Sequence, residues 1–165
     1  MAKSKDKDIK TNAMRILDRE RIAYRVNTYE CEDFIDGVHI ADMLGQSREQ
    51  SFKTLAGRGK DNEICVFVIP VEKELDLKAA ARAAGKKSVE LLHVKDINAA
   101  TGYIRGGVSP IGMKKLFLTV IDESVRQFDE VIISGGRLGS QILLSPDDLI
   151  KVTRARVESI VTDNK

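Results

Sequence analysis

The 165 residues include no tryptophan, two cysteines, two histidines and three prolines. Each scarcity excludes something. With five Phe and three Tyr as the whole aromatic complement, aliphatic side chains must fill the core. Cys31 and Cys65 stand far apart and outside any C-x-x-C pair, which argues against a zinc site or a redox motif. Cys65, within Ile64-Cys-Val-Phe-Val-Ile69, reads as a small buried apolar residue, and free thiols are expected. His39, in a helical stretch, and His93, beside charges, both read as surface residues. Ser-His or Cys-His nucleophilic catalysis therefore has little support. No apolar run reaches the roughly 20 residues needed to cross a bilayer. Met1 to Asp8 lacks the apolar stretch of a signal peptide and reads as a frayed tail. Cytoplasmic residence without a membrane partner is the expectation. Charge of one sign is lacking too: 27 Lys and Arg face 25 Asp and Glu, for a net +2. That balance permits an RNA partner without demanding one.

An apolar fraction of 42% in a chain of this length suits a single packed domain. A first helix is expected near Ile9, with Ala13, Ile16 and Leu17 on the same face. Asp36 to Leu44 reads as a helix closed by Gly45, and Asp76 to Ala84 as one capped by Asp76 and stopped by Gly85. Val94 to Ala100 reads as a fourth helix. Ser145-Pro146-Asp147-Asp148 opens a last one, with Ser at the cap, Pro at the first position and acids in the first turn. Strands are predicted over 22–26, 51–55, 66–71, 88–92 and 116–121. A hairpin is predicted over 129–134 and 141–145, around a glycine-rich turn. No regular βαβ alternation appears. The pattern predicts an α/β fold in which one mixed, curved, barrel-like sheet is surrounded by helices.

Seven of the twelve glycines fall between Gly102 and Gly139, in two clusters. The first, Thr101-Gly-Tyr-Ile-Arg-Gly-Gly-Val-Ser-Pro-Ile-Gly112, could turn successive N–H groups onto a carboxyl, a phosphate or a developing oxyanion. It would serve equally as a long turn. It matches neither the Walker A pattern nor G-x-G-x-x-G. The second, Ser134-Gly-Gly-Arg-Leu-Gly139, suits a wide hairpin loop with or without a ligand. Asp122-Glu123 and Asp147-Asp148 read as helix N-terminal charges rather than as an acid–base couple. Lys53, Lys86-Lys87 and Lys114-Lys115 are on composition alone solvated surface residues, able to touch phosphates in a salt-sensitive way.

Read together, these segments resemble the YbaK family of freestanding transfer-RNA editing proteins. The motifs that carry the resemblance are Lys10-Thr-Asn-Ala-Met14, Ser51-Phe-Lys-Thr-Leu55, Leu75-Asp-Leu-Lys78, Gly85-Lys-Lys87 and Thr101-Gly-Tyr103. Gly106-Gly-Val-Ser-Pro-Ile-Gly112, Lys114-Lys115 and Ser134-Gly-Gly136 follow in family order, over residues 9 to 161. The resemblance implies a deacylase related to the editing domain of bacterial prolyl-tRNA synthetases, without cofactor or metal. It acts typically on cysteine attached to proline tRNA. By resemblance, Lys53 is the lysine on which activity depends. Gly106, Gly107, Ser109 and Pro110 line the aminoacyl pocket, with Tyr29, Thr54, Ser134 and Gly136 around it. Lys86, Lys87, Lys114 and Lys115 are inferred from charge to meet the acceptor stem. The chemistry proposed for the family uses the substrate's own thiol. Related subfamilies remove alanine or serine, and a non-catalytic aminoacyl-binding module would use the same residues. Where many relatives read Gly-Lys-Arg-Gly, this chain has Gly136-Arg137-Leu138-Gly139, and Gln141 stands where some relatives carry an acid. Prolyl-tRNA synthetase is a possible partner on this reading.

Overall fold

Local caps fix the helices. In the computed structural model, which describes residues 10–162, each helix but one begins at a side chain that accepts its orphan N–H groups. Thr11 caps α1 (Asn12–Arg19), Asp36 caps α2 (Gly37–Leu44), Asp76 caps α3 (Leu77–Ala84) and Ser145 caps α5 (Pro146–Thr153). Helix α4 (Val94–Thr101) starts at His93 without a side-chain cap. Gly45, Gly85 and Gly102 end α2, α3 and α4 in the left-handed conformation. Ile9 and the expected tail over residues 1–8 lie outside the described residues.

The strands are β1 (Arg25–Thr28), β2 (Phe52–Gly59), β3 (Ile64–Pro70), β4 (Val89–Leu91), β5 (Leu118–Asp122), β6 (Val131–Ser134), β7 (Ser140–Leu144) and β8 (Arg156–Glu158). They form two sheets, ordered β1-β7-β6 and β4-β2-β3-β5-β8. Pairing is antiparallel in the first sheet and for β4-β2-β3. It is parallel for β3-β5 and β5-β8, so the mixed character expected is present. The single barrel-like sheet is not: among the described residues the strands divide into two sheets, joined by a parallel bridge between Ser51 and Ile132. The Ile132 amide donates to the Gln50 carbonyl at the same junction.

Three layers result. One core lies between the three-stranded sheet, α1, α5 and one face of the five-stranded sheet, and holds Leu17, Phe52, Val68, Ile121, Ile133, Ile142 and Leu149. A second lies on the opposite face, where Cys65, Phe67, Ile69 and Val120 meet Ala80, Ala81 and Ala84 of α3. Strand β3 feeds both cores, which is why its sequence is a continuous apolar run rather than an alternating one. Asp122, read as a helix-terminal charge, caps a 3-10 turn (Glu123–Gln127). Its other oxygen accepts the Ile160 amide and so ties the C-terminal segment to β5.

Candidate functional site

The two glycine clusters, about thirty residues apart in sequence, interlock. An added Cβ at Gly107 would sit 2.8–3.1 Å from the backbone of Arg137, so only glycine allows that approach. Gly106, at φ +86°, lies against the side chains of Leu138 and Phe34. Leu138 is thus spent on an apolar contact between the loops.

Residues the sequence reading left without a role hold this arrangement. The Thr11 hydroxyl donates to the Gly135 carbonyl at 2.5 Å, and the Asn12 amide donates to the Gly112 carbonyl at 2.7 Å. The N-terminus of α1 therefore clamps both glycine loops. Tyr103, buried, donates its hydroxyl to the Ile111 carbonyl at 2.5 Å, and burial pushes its pKa up to about 12. It titrates far above neutrality and acts as a donor throughout the physiological range. Ser109 is 0% exposed, and its oxygen accepts the Ile111 amide within its own loop. Ser109 and Pro110 therefore shape the loop from inside.

Ser134, half-buried, accepts the Gly136 amide at 3.2 Å. Tyr29 lies at the same end of the molecule: its amide donates to the Gly139 carbonyl, and burial raises its phenol above the ordinary value. Gln141 forms a reciprocal amide pair with Gln46 and also accepts from Asn27, which joins the start of β2's approach to β7 and β1. A neutral amide here makes three hydrogen bonds to two partners, one of them as donor, where an acid could only accept.

Lys53 comes from β2, opposite Ile69 of β3. It is half-buried, and desolvation lowers its pKa, opposed by the nearby carboxylates of Asp36 and Glu74. Asp36 caps α2, and Phe34, two residues before it, covers Gly106. The segment 34–36 thus starts against the glycine loop and carries, at Asp36, a carboxylate near enough for its charge to act on Lys53. Arg105, the neighbour of Gly106, lies 3.9 Å over the Phe34 ring. Thr54 is on the opposite face of β2 from Lys53, because strand side chains alternate; its register partner Val68 and its neighbour Phe52 belong to the first core. The Thr54 hydroxyl is buried and lacks a hydrogen-bond partner among the described residues.

The four expected tRNA lysines differ. The Lys86 amine is held by Asp61 at 2.7 Å and by Glu63, with the side chain only 12% exposed. Its pKa is displaced far upward by those two carboxylates. Its charge is committed, and it makes a poor phosphate ligand. Lys114 donates to the Ala99 carbonyl in the last turn of α4. Lys87 and Lys115 are exposed and free of ion pairs among the described residues. His39 and His93 are exposed, as expected, and no helix among the described residues is long and apolar enough to cross a membrane.

Residues 36–152 match the family profile described as an aminoacyl-tRNA editing domain. A protein of Enterococcus faecalis, provisionally named a Cys-tRNA(Pro)/Cys-tRNA(Cys) deacylase, is 43% identical over 98% of this chain and 99% of its own length. A multifunctional Ser/Thr-tRNA deacylase of Escherichia coli is 22% identical over 84% of each chain. Among solved structures, one described provisionally as a trans-editing enzyme for prolyl-tRNA synthetase superposes with a TM-score of 0.79. That match covers 94% of this chain and 99% of the other at 22% identity, and speaks for the fold.

Proposed function

The chain belongs to the aminoacyl-tRNA editing family, and from that premise we propose that it removes cysteine from mischarged proline tRNA, with the substrate's thiol as nucleophile. The observation that carries this reading is the composition of the site. Two interlocked glycine loops and a half-buried amine are present, while both histidines stand exposed on the surface. Such a site can hold an ester and stabilise charge on its carbonyl oxygen, while among the described residues the His39 ring is bonded to Asp36 and no Ser, Thr or Cys side chain is hydrogen-bonded to a histidine.

The missing nucleophile is in the substrate. The cysteinyl sulfur attacks its own ester carbonyl, the C–S bond forms, and the carbonyl–oxygen bond to the ribose breaks. The ribose oxygen takes a proton, and water opens the resulting thiolactone to free cysteine. Holding the reacting atoms together replaces a positioned protein group, because a well-oriented intramolecular attack has a very high effective concentration. In this reading the Lys53 amine holds the aminoacyl-ribose, and amides of the 106–112 loop stabilise the carbonyl oxygen. Tyr29, Ser134 and Gly136 close the side-chain pocket, Thr54 supports β2 from behind, and Lys87, Lys114 and Lys115 approach the acceptor stem. In this reading prolyl-tRNA synthetase delivers the substrate.

A panel of tRNAs charged with cysteine, alanine, serine and proline tests the reading. Release from cysteinyl tRNA is expected to exceed release from the others by roughly a hundredfold or more, the scale of losing one well-placed catalytic group. Equal rates on alanyl tRNA would reject thiol assistance. Binding of all four without release would favour a non-catalytic module.

A further inference from the structure

Away from Lys53, a groove of about 470 Å³ runs between the end of α1, the segment 110–119 and the end of α5. Four cations line it: Arg19, Lys115, Lys151 and Arg154, against a single carboxylate, Glu20. Arg19 approaches Glu20 only at 3.8 Å in an exposed geometry, which offsets little of its charge. Lys115, Lys151 and Arg154 make no ion pair among the described residues. The surplus of positive charge in this one groove exceeds the net +2 of the whole chain. Lys151 and Arg154 also complement the carbonyl end of α5, but that role does not require Lys115 and Arg19 to converge on them from two other elements.

The groove borders the loop of the candidate site. Pro110, Ile111 and Gly112 line it, and they are the far side of the loop whose Gly106 and Gly107 face Phe34 and Arg137. One loop therefore separates the aminoacyl pocket from a cationic trough. Resting on the editing function above, we propose that this groove seats the sugar-phosphate backbone of the tRNA acceptor arm. The charged 3′ end turns around the 106–112 loop to reach Lys53. Leu116, 61% exposed within the groove, offers an apolar surface to a ribose face. Contacts of this kind position a nucleic acid without reading its sequence.

The test is equilibrium binding of uncharged tRNA(Pro) to the full chain across a range of salt concentrations. The proteins compared are wild type, the double variant Lys151→Gln/Arg154→Gln and the charge-retaining Lys151→Arg/Arg154→Lys. Loss of two phosphate contacts is expected to weaken binding roughly tenfold at low salt and to flatten the log–log salt slope by about 1.5. The charge-retaining variant is expected to restore both. Wild-type affinity and slope in the glutamine variant would overturn the proposal. That result is also the one expected if the groove seats a protein such as the synthetase. Cysteine release by wild type is measured in parallel. Absence of release together with Lys151-dependent binding would defeat the catalytic reading and leave the groove intact.

Discussion

Lys53→Ala is expected to lower cysteine release from Cys-tRNA(Pro) by roughly 10²–10³-fold, the scale of removing one preorganised charge-stabilising donor. The same change is expected to leave the melting temperature unchanged or higher. An amine half-removed from water disfavours its own charged form, and here burial outweighs the help of Asp36 and Glu74. Its folded pKa therefore lies below the ordinary 10.5. That destabilising contribution is complete below the folded pKa and fades as pH rises toward the unfolded value. Replacing Lys53 thus relieves a cost at neutral pH rather than adding one. A thermal melt beside single-turnover kinetics separates the two readouts, and a well-folded variant with wild-type turnover would remove Lys53 from the mechanism.

The rate is expected to trace a bell against pH. The rising limb follows ionisation of the substrate thiol, with an unperturbed pKa of about 8.5. The falling limb follows loss of the proton from Lys53, and it begins below the pH at which a free lysine titrates, because the shift is downward. Lys53→Arg keeps the positive charge at every accessible pH, so the falling limb is expected to disappear even if the plateau drops through altered geometry. Seryl tRNA, whose hydroxyl does not ionise in this range, is expected to show no rising limb. A profile for cysteinyl tRNA flat between pH 6.5 and 8.5, on the order of the thiol range, would exclude thiolate attack.

These expectations began in the sequence, and what was legible there was local. Helix α3 was readable to the residue because Asp76 and Gly85 act within one turn of the elements they bound. The hairpin β6-β7 was readable because its arms flank a single loop. Strand β2 runs four residues past the expected end, through Gly57 and Gly59, which count against a strand by propensity. Gly57 is there because β4 comes close: a Cβ would lie 2.9 Å from Val89 and 3.0 Å from the Glu90 carbonyl. Strand β8 has three residues, two of them exposed and charged, and carries no apolar pattern to announce it. The split into two sheets depends on which distant strands pair, and nothing local encodes that.

The site shows the same division. Glycine clustering marked both loops, but not that Gly107 lies against Arg137. Thr11 and Asn12 belonged to a recognised motif without a reason for it. Their partners Gly135 and Gly112 are 124 and 100 residues away, beyond any window of periodicity. Lys86 read as a free charge because Asp61 and Glu63 sit on a different turn, 25 and 23 residues earlier. Side-chain type was visible in the sequence; side-chain company was not.

The claim on which the rest depends is spatial: one aminoacyl group must touch both Lys53 and the loop that Phe34 links to it. The direct measurement is a crystal structure with a non-hydrolysable cysteinyl-adenosine analogue. The expected result places the Lys53 Nζ within about 3 Å of the ligand and aims amides of the 106–112 loop at its carbonyl oxygen. An analogue bound with Lys53 on the other side of the 34–36 segment, out of reach, would contradict it.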